Sequence, residues 1–183
     1  VSFIFIKSTE GASMMNPYYK TDYAAARKRG YPVGTYHYFT HRTSGSQQAW
    51  YFLSNSHFKK GDLPPVLDLE PLPSQVKKMG GAAGMWSRVR NWLQIVEKET
   101  GMRPILYISQ TFANRWLDAA PDIKRDYPVW IARYGDYKPD VKLWIWQLAP
   151  DGKVRGIAGH TDINVFNGYR NEFKHWLSTV SKK

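Results

Sequence analysis

Asp68 and Glu70 stand two residues apart in the stretch Pro64-Pro65-Val66-Leu67-Asp68-Leu69-Glu70-Pro71. Val66 and Leu67 form a short apolar run that reads as the end of a buried strand. Residues i and i+2 of a strand point to one face. Both carboxylates should therefore leave the same strand end, with backbones roughly 6–7 Å apart. Like charges this close drive their pKa values apart, so one carboxyl keeps its proton while the other ionises. That is the equipment for glycosidic bond cleavage: an acid protonates the leaving oxygen and an anion steadies the positive transition state. An isolated pair of this kind is more often two exposed acids at a strand-to-loop junction, so the surrounding chain has to decide.

The elements that would position the pair alternate between strand and helix. Strands are predicted over 3–7, 33–39, 66–69, 105–108, 129–132, 143–147 and 162–166. Helices are predicted over 17–29, 46–57, 85–100, 111–117 and 169–178. Pro17 suits a first turn, Ala24-Ala25-Ala26 favour a helix, and Gly30 and Gly101 are stops. Such alternation predicts an α/β fold with a parallel sheet and helices outside it. Lys7, Tyr36, His37, Asp68, Glu70, Tyr107, Trp130, Gln147 and Asp162 all fall at strand ends, and in a β/α barrel the C-terminal strand ends form the active face. Too little sequence separates the late strands for full helices, so the expected TIM-like barrel is irregular in its second half.

Composition narrows the class. A chain of 183 residues suits one domain, and 43% hydrophobic residues make it globular. No run of 18 apolar residues suggests a membrane span, and the opening Val1-Ser2-Phe3-Ile4-Phe5-Ile6 is strand-like, not a signal peptide. Without cysteine there is no disulfide framework, thiolate metal site or thiol nucleophile. His41, His57, His160 and His175 lack metal-ligand spacing, so no metal is expected. Ser109 has no His or acid at a useful spacing for a serine hydrolase. A net charge of +11 implies attraction to polyanions or simply solubility. No recognition motif supports nucleic acid.

Further blocks accompany the central stretch: Phe3-Ile4-Phe5-Ile6-Lys7-Ser8-Thr9-Glu10-Gly11, Val33-Gly34-Thr35-Tyr36-His37-Tyr38-Phe39, Gly101-Met102-Arg103-Pro104-Ile105-Leu106-Tyr107, Pro128-Val129-Trp130-Ile131-Ala132-Arg133-Tyr134, Trp144-Ile145-Trp146-Gln147-Leu148 and Thr161-Asp162-Ile163-Asn164-Val165-Phe166-Asn167-Gly168. Taken in this order, they make nearly the whole chain resemble the glycoside hydrolase family 25 lysozymes, the Chalaropsis-type N-acetylmuramidases. The resemblance implies a modified β/α barrel and cleavage of the β-1,4 bond between N-acetylmuramic acid and N-acetylglucosamine in peptidoglycan. It implies Glu70 as general acid, Asp68 as its carboxylate partner and Asp162 as a further active-site acid. The implied partners are peptidoglycan glycan strands, with anionic wall polymers as additional ligands. A monomer acting outside the cell or in its envelope, without cofactors, is expected.

Two departures from the family pattern stand out. Members usually open with an Asp-x-Ser strand about one β/α unit before the Phe-Ile-Phe-Ile-Lys strand, yet here no Asp precedes Asp22. The expectation is one catalytic domain over residues 1–183 that lacks its first β/α unit and is incomplete at its N-terminus. The alternative is a catalytically inactive wall-binding protein on the same barrel. Asn16 also stands before Pro17 where the family commonly has Asp.

Single residues sort further. His37 reads as a hydrogen-bonded core residue before a base. Tyr36 is a candidate for lining the site and bonding an acid or the substrate. Lys7 and Glu10 are candidate binding residues, with a plain surface ion pair as the alternative. Tyr107 and Gln147 are candidates by their strand-end positions. Trp130, Tyr134 and Trp146 are candidate sugar platforms, each with a core role as the alternative.

Overall fold

The computed structural model describes residues 1–132, 141 and 143–180. Strands β1 (Ile4–Glu10), β2 (Met14–Met15), β3 (Val33–Tyr38), β4 (Val66–Asp68), β5 (Ile105–Ser109), β6 (Val129–Ala132), β7 (Leu143–Gly152) and β8 (Thr161–Phe166) form one sheet in the order β2-β1-β3-β4-β5-β6-β7-β8. Helices α1 (Tyr19–Lys28), α2 (Gly45–Asn55), α3 (Pro73–Lys78), α4 (Gly81–Thr100), α5 (Gln110–Trp116), α6 (Pro121–Asp126) and α7 (Arg170–Val180) lie between or after the strands.

From β1 to β7 the long strands pair in parallel, but β7 and β8 are antiparallel. The expected all-parallel sheet is corrected here. β7 runs five residues past Gln147, to Gly152, and a short turn brings β8 back beside it. A hairpin needs no crossover helix, which accounts for the scarcity of late helices.

The sheet is curled. Phe5 on β1 and Trp130 on β6 have ring centroids 4.8 Å apart, although β3, β4 and β5 lie between their strands. Four spacings of about 4.8 Å would hold those strands roughly 19 Å apart in a flat sheet. Gly34 permits this approach: a Cβ there would fall 2.0 Å from the Phe5 ring. The mixed α/β fold is therefore built on an eight-stranded half-barrel.

Strand alternation divides the core in two. Leu67, Leu69, Leu106, Ile108, Val129 and Ile131 face outward onto the helices, where they pack with Phe52, Trp86 and Trp92. Val66, Ile105, Trp130 and Ile145 face inward with Phe5, Tyr36 and Tyr107. Phe173 and Trp176 of α7 cover this inner cluster by packing on Phe3, Trp144 and Phe166. Those partners lie at the N-terminal end of the parallel strands, so α7 leaves their C-terminal ends uncovered. Among the described residues, no helix is long and apolar enough to cross a membrane.

Candidate active site

β4 ends at Asp68, and Glu70 lies in the loop that follows. Sheet-like bonding nevertheless continues: Phe39 N donates to Asp68 O at 2.9 Å and Leu69 N donates to Tyr107 O at 3.0 Å. The backbone is thus held extended between β3 and β5 beyond the strand's formal end, and the two acids share a face as the spacing predicts. Their environments differ. Asp68 is 9% exposed, whereas Glu70 is open to solvent. Burial pushes the Asp68 carboxyl well above the usual carboxylate range; the charge of Glu70 and a hydrogen bond with Glu70 add to this, and Lys7 opposes it. A bond between two carboxyls exists only when one of them carries a proton. Among the described residues, the buried Oδ1 of Asp68 has no hydrogen-bond partner. Asp68 is thus the member of the pair on which burial favours the proton.

Asp162 comes from the far side of the half-barrel, on β8. Its charge and those of Asp68 and Glu70 all act on Tyr36, whose hydroxyl is raised first by burial and then by these acids. The acids therefore converge on one tyrosine from β3's neighbour and from the sheet's far edge. Asp162 is oriented by Gln147. The Tyr107 hydroxyl donates to Gln147 Oε1 at 2.8 Å. This leaves the Gln147 amide N–H to donate to Asp162, which favours its ionised form, while burial has the larger, opposite effect and raises its pKa. Asn164, two residues on, accepts from Trp130 Nε1 at 3.0 Å.

Lys7 pairs with Glu10 at 2.8 Å and lies 4.9 Å from the centre of the Tyr38 ring. Glu10 ends β1, and Lys7 reaches it from the middle of the strand. Tyr38 itself was missed in the sequence, although it shares a strand face with Tyr36 by simple alternation. Its hydroxyl is raised by burial, then by Glu70, Asp68 and Glu10, which puts it beside the acids. Asn164 was likewise visible only as the third residue of the Asp-Ile-Asn stretch.

Other candidates lie elsewhere. Trp130 is only 6% exposed and packs against Phe5 and the edge of Tyr107, so it belongs to the inner core and offers no open sugar platform. Trp146 is turned to the opposite face and packs on the outer, helix-facing core. A one-residue step along β7 separates it from Gln147, and in a strand that step reverses the face. Tyr134 lies outside the described residues. Among those described, no group of His, Asp or Glu is arranged to hold a metal ion.

His37 is a core residue. It is fully buried, stacks on Trp92 at 5.7 Å, and is bonded through both ring nitrogens. Its tautomer can be deduced. The backbone N–H of Thr40 donates to Gln48 Oε1 at 2.8 Å, and Gln48 Nε2 donates to Thr40 O and Thr43 O. Gln48 therefore presents an acceptor to His37 Nε2, which must carry the hydrogen; Nδ1 then accepts from Thr9 Oγ1. Burial lowers its pKa to about 4. Asn16 is structural too. Its Nδ2 donates to Lys7 O at 2.8 Å and its Oδ1 accepts from Tyr18 N at 3.0 Å. An aspartate could not make the first bond.

The profile described as glycosyl hydrolases family 25 matches residues 1–157. The chain is 36% identical over 185 positions to the uncharacterized protein YegX of Escherichia coli K12, covering 100% of this chain and 65% of YegX. It is 30% identical over 181 positions to Lysozyme M1 of Streptomyces globisporus, covering 92% of this chain and 60% of that protein. The chain thus spans less than two thirds of the length of these relatives. The crystal structure of a bacterial lysozyme from Streptomyces coelicolor is similar at a TM-score of 0.85 and 27% identity, over 98% of this chain and 88% of that one. Alike in sequence profile and in the curl of its sheet, the chain belongs to glycosyl hydrolase family 25.

Proposed function

We propose that this protein is a peptidoglycan hydrolase, an N-acetylmuramidase that cleaves the β-1,4 bond between N-acetylmuramic acid and N-acetylglucosamine. The observation that carries this is the placement of Asp68 and Glu70 on one face at the C-terminal end of β4, with Asp162 near enough for its charge to act on the same Tyr36. Lysozyme M1 and the Streptomyces coelicolor lysozyme, by their names, support the same chemistry.

Glu70 is the general acid, because it is the exposed member of the coupled pair and can reach a glycosidic oxygen. In the free protein, burial favours the proton on Asp68. A bound glycan would strip water from Glu70 and move the proton onto it, leaving Asp68 anionic. Glu70 then gives the proton to the leaving oxygen as the C–O bond breaks. The acetamido oxygen of the muramic residue attacks the anomeric carbon, and Asp68 orients and stabilises the positive ring it forms. Glu70, now a base, takes a proton from the water that opens this ring. Asp162, held by Gln147, adds negative potential to the same cleft. Tyr36, Tyr107, Lys7 and Glu10 line the substrate path.

Residues 1–183 form one catalytic domain in this account, working as a monomer at the cell envelope or outside it. A further β/α unit upstream of Ile4 would add a strand to the modified barrel and bring another acid. Supporting this, β1 is paired on one side only by the two-residue β2 among the described residues. Zymography on purified bacterial walls tests the proposal: clearing is expected, and binding without clearing would favour an inactive wall-binding protein.

A further inference from the structure

The cations of this chain are distributed unevenly between two kinds of surroundings. Around α4 and α6 four cations are paired: Arg90 with Asp122, Arg103 with Glu97, Lys124 with Asp118 and Arg125 with Asp126. Beside the acidic cleft Lys7 is paired with Glu10, but three cations that follow β3 and β4 are not. Arg42, Lys77 and Lys78 are exposed and make no ion pair among the described residues. The sequence offers them no local acid, because there is no Asp or Glu from residue 39 to 60 or from residue 71 to 96.

This rim is built into the fold. α3 starts three residues after Glu70, with Val76 and Met79 buried in the outer core and Lys77 and Lys78 turned to solvent. The loop after β3 is fastened to α4: Arg88 Nη1 donates to His41 O at 3.0 Å, and Gly45 sits so close to Arg88 O that a Cβ would lie 1.9 Å from it. Gln48 ties Thr40 and Thr43 from within. The two loops extend from neighbouring strands joined by the Phe39–Asp68 bond. The His41 imidazole is lowered by slight burial and then by Lys78, Arg42 and Arg88, which brings the charges from both loops together.

We propose that Arg42, Lys77 and Lys78 form a docking rim for the carboxylates of the peptide branches carried by the glycan, so that the protein prefers peptide-bearing strands to bare ones. This rests on the muramidase proposal for the neighbouring cleft. A branch attached to the muramic residue is carried to the rim whenever that residue occupies the cleft, and its carboxylates complement an unneutralised cationic edge.

The test uses soluble glycan strands in three forms: peptide-bearing, stripped of peptide by an amidase, and peptide-bearing with branch carboxylates amidated. Binding and turnover are measured for the wild-type protein and for the Arg42→Gln/Lys77→Gln/Lys78→Gln variant. On peptide-bearing strands the variant should show KM and Kd about three- to tenfold higher with unchanged kcat, the signature of lost ground-state binding. Stripped and amidated strands should not distinguish the two proteins. A loss of equal size on all three forms would overturn the proposal. So would a rim effect seen only on walls that retain phosphate polymers. Preferential binding of peptide-bearing strands without cleavage of any would uphold the rim and sink the hydrolase assignment; cleavage of all three forms at one KM would do the reverse.

Discussion

The Tyr107 hydroxyl donates to Gln147 Oε1 at 2.8 Å, joining β5 to β7 across β6 and fixing which end of the Gln147 amide faces Asp162. The orientation of an acid at the sheet's edge thus depends on a tyrosine beside Asp68, since Asp68 and Tyr107 are register partners. Tyr107→Phe should leave Gln147 free to turn its carbonyl toward Asp162. The expected result is a fall in kcat/KM of about tenfold with a loss of about 1 kcal/mol in stability. Steady-state kinetics and a denaturant titration check both, and unchanged kinetics would remove Gln147 from the account.

Asp68 should limit stability as well as support chemistry. Its folded pKa is raised, so the protonated form's advantage is full below the unfolded value near 4 and is lost as pH rises through the folded value. Asp68→Asn abolishes that loss, and its amide can donate to Glu70. The variant should melt higher than the wild type by about 2–4 °C for each kcal/mol gained, with the gap widening as pH rises above about 5. Calorimetry over pH 5–8 measures this. A variant that melts lower throughout would mean that burial does not hold a proton on the pair.

His37 acts in the opposite direction. Its folded pKa, lowered to about 4, lies below the unfolded value of 6.5, so it contributes stability above pH 6.5 that is lost as pH falls through about 4. The full span is on the order of 3 kcal/mol. Nitrogen-15 NMR at pH 5 should show a neutral ring with the hydrogen on Nε2. A charged ring at that pH would contradict the Thr9–His37–Gln48 network.

Stereochemistry distinguishes the route. Attack by the substrate's own acetamido group, followed by water, retains the anomeric configuration. NMR of the first-formed reducing end should show the retained β-anomer before mutarotation. An inverted product, or a sugar ester trapped on Asp68, would rule out the acetamido route.

Much of the fold was legible because its long elements follow strong patterns. The 129–132 strand matches β6, and the 33–39 and 105–108 strands differ from β3 and β5 by one residue. The short helices α3 and α6, six residues each, were hidden because so few turns give no readable period. The β7–β8 hairpin was missed because its turn lies beyond the apolar run that marked the strand. In the site, the Asp68–Glu70 pair could be read from alternation alone, since i and i+2 share a face whatever the context. Trp130 and Trp146 could not be separated that way, because residue type does not say which face of a sheet is open. Tyr38 was within reach of the same alternation that marked Tyr36.

The most direct test of the central claim is Glu70→Gln. The amide keeps the shape but has no acidic proton for the leaving oxygen. The folded variant should lose wall-clearing activity by about 10²–10⁴-fold, the usual worth of a general acid, while its melting temperature stays near that of the wild type. A folded Glu70→Gln protein that clears walls at a near-native rate would contradict the assignment.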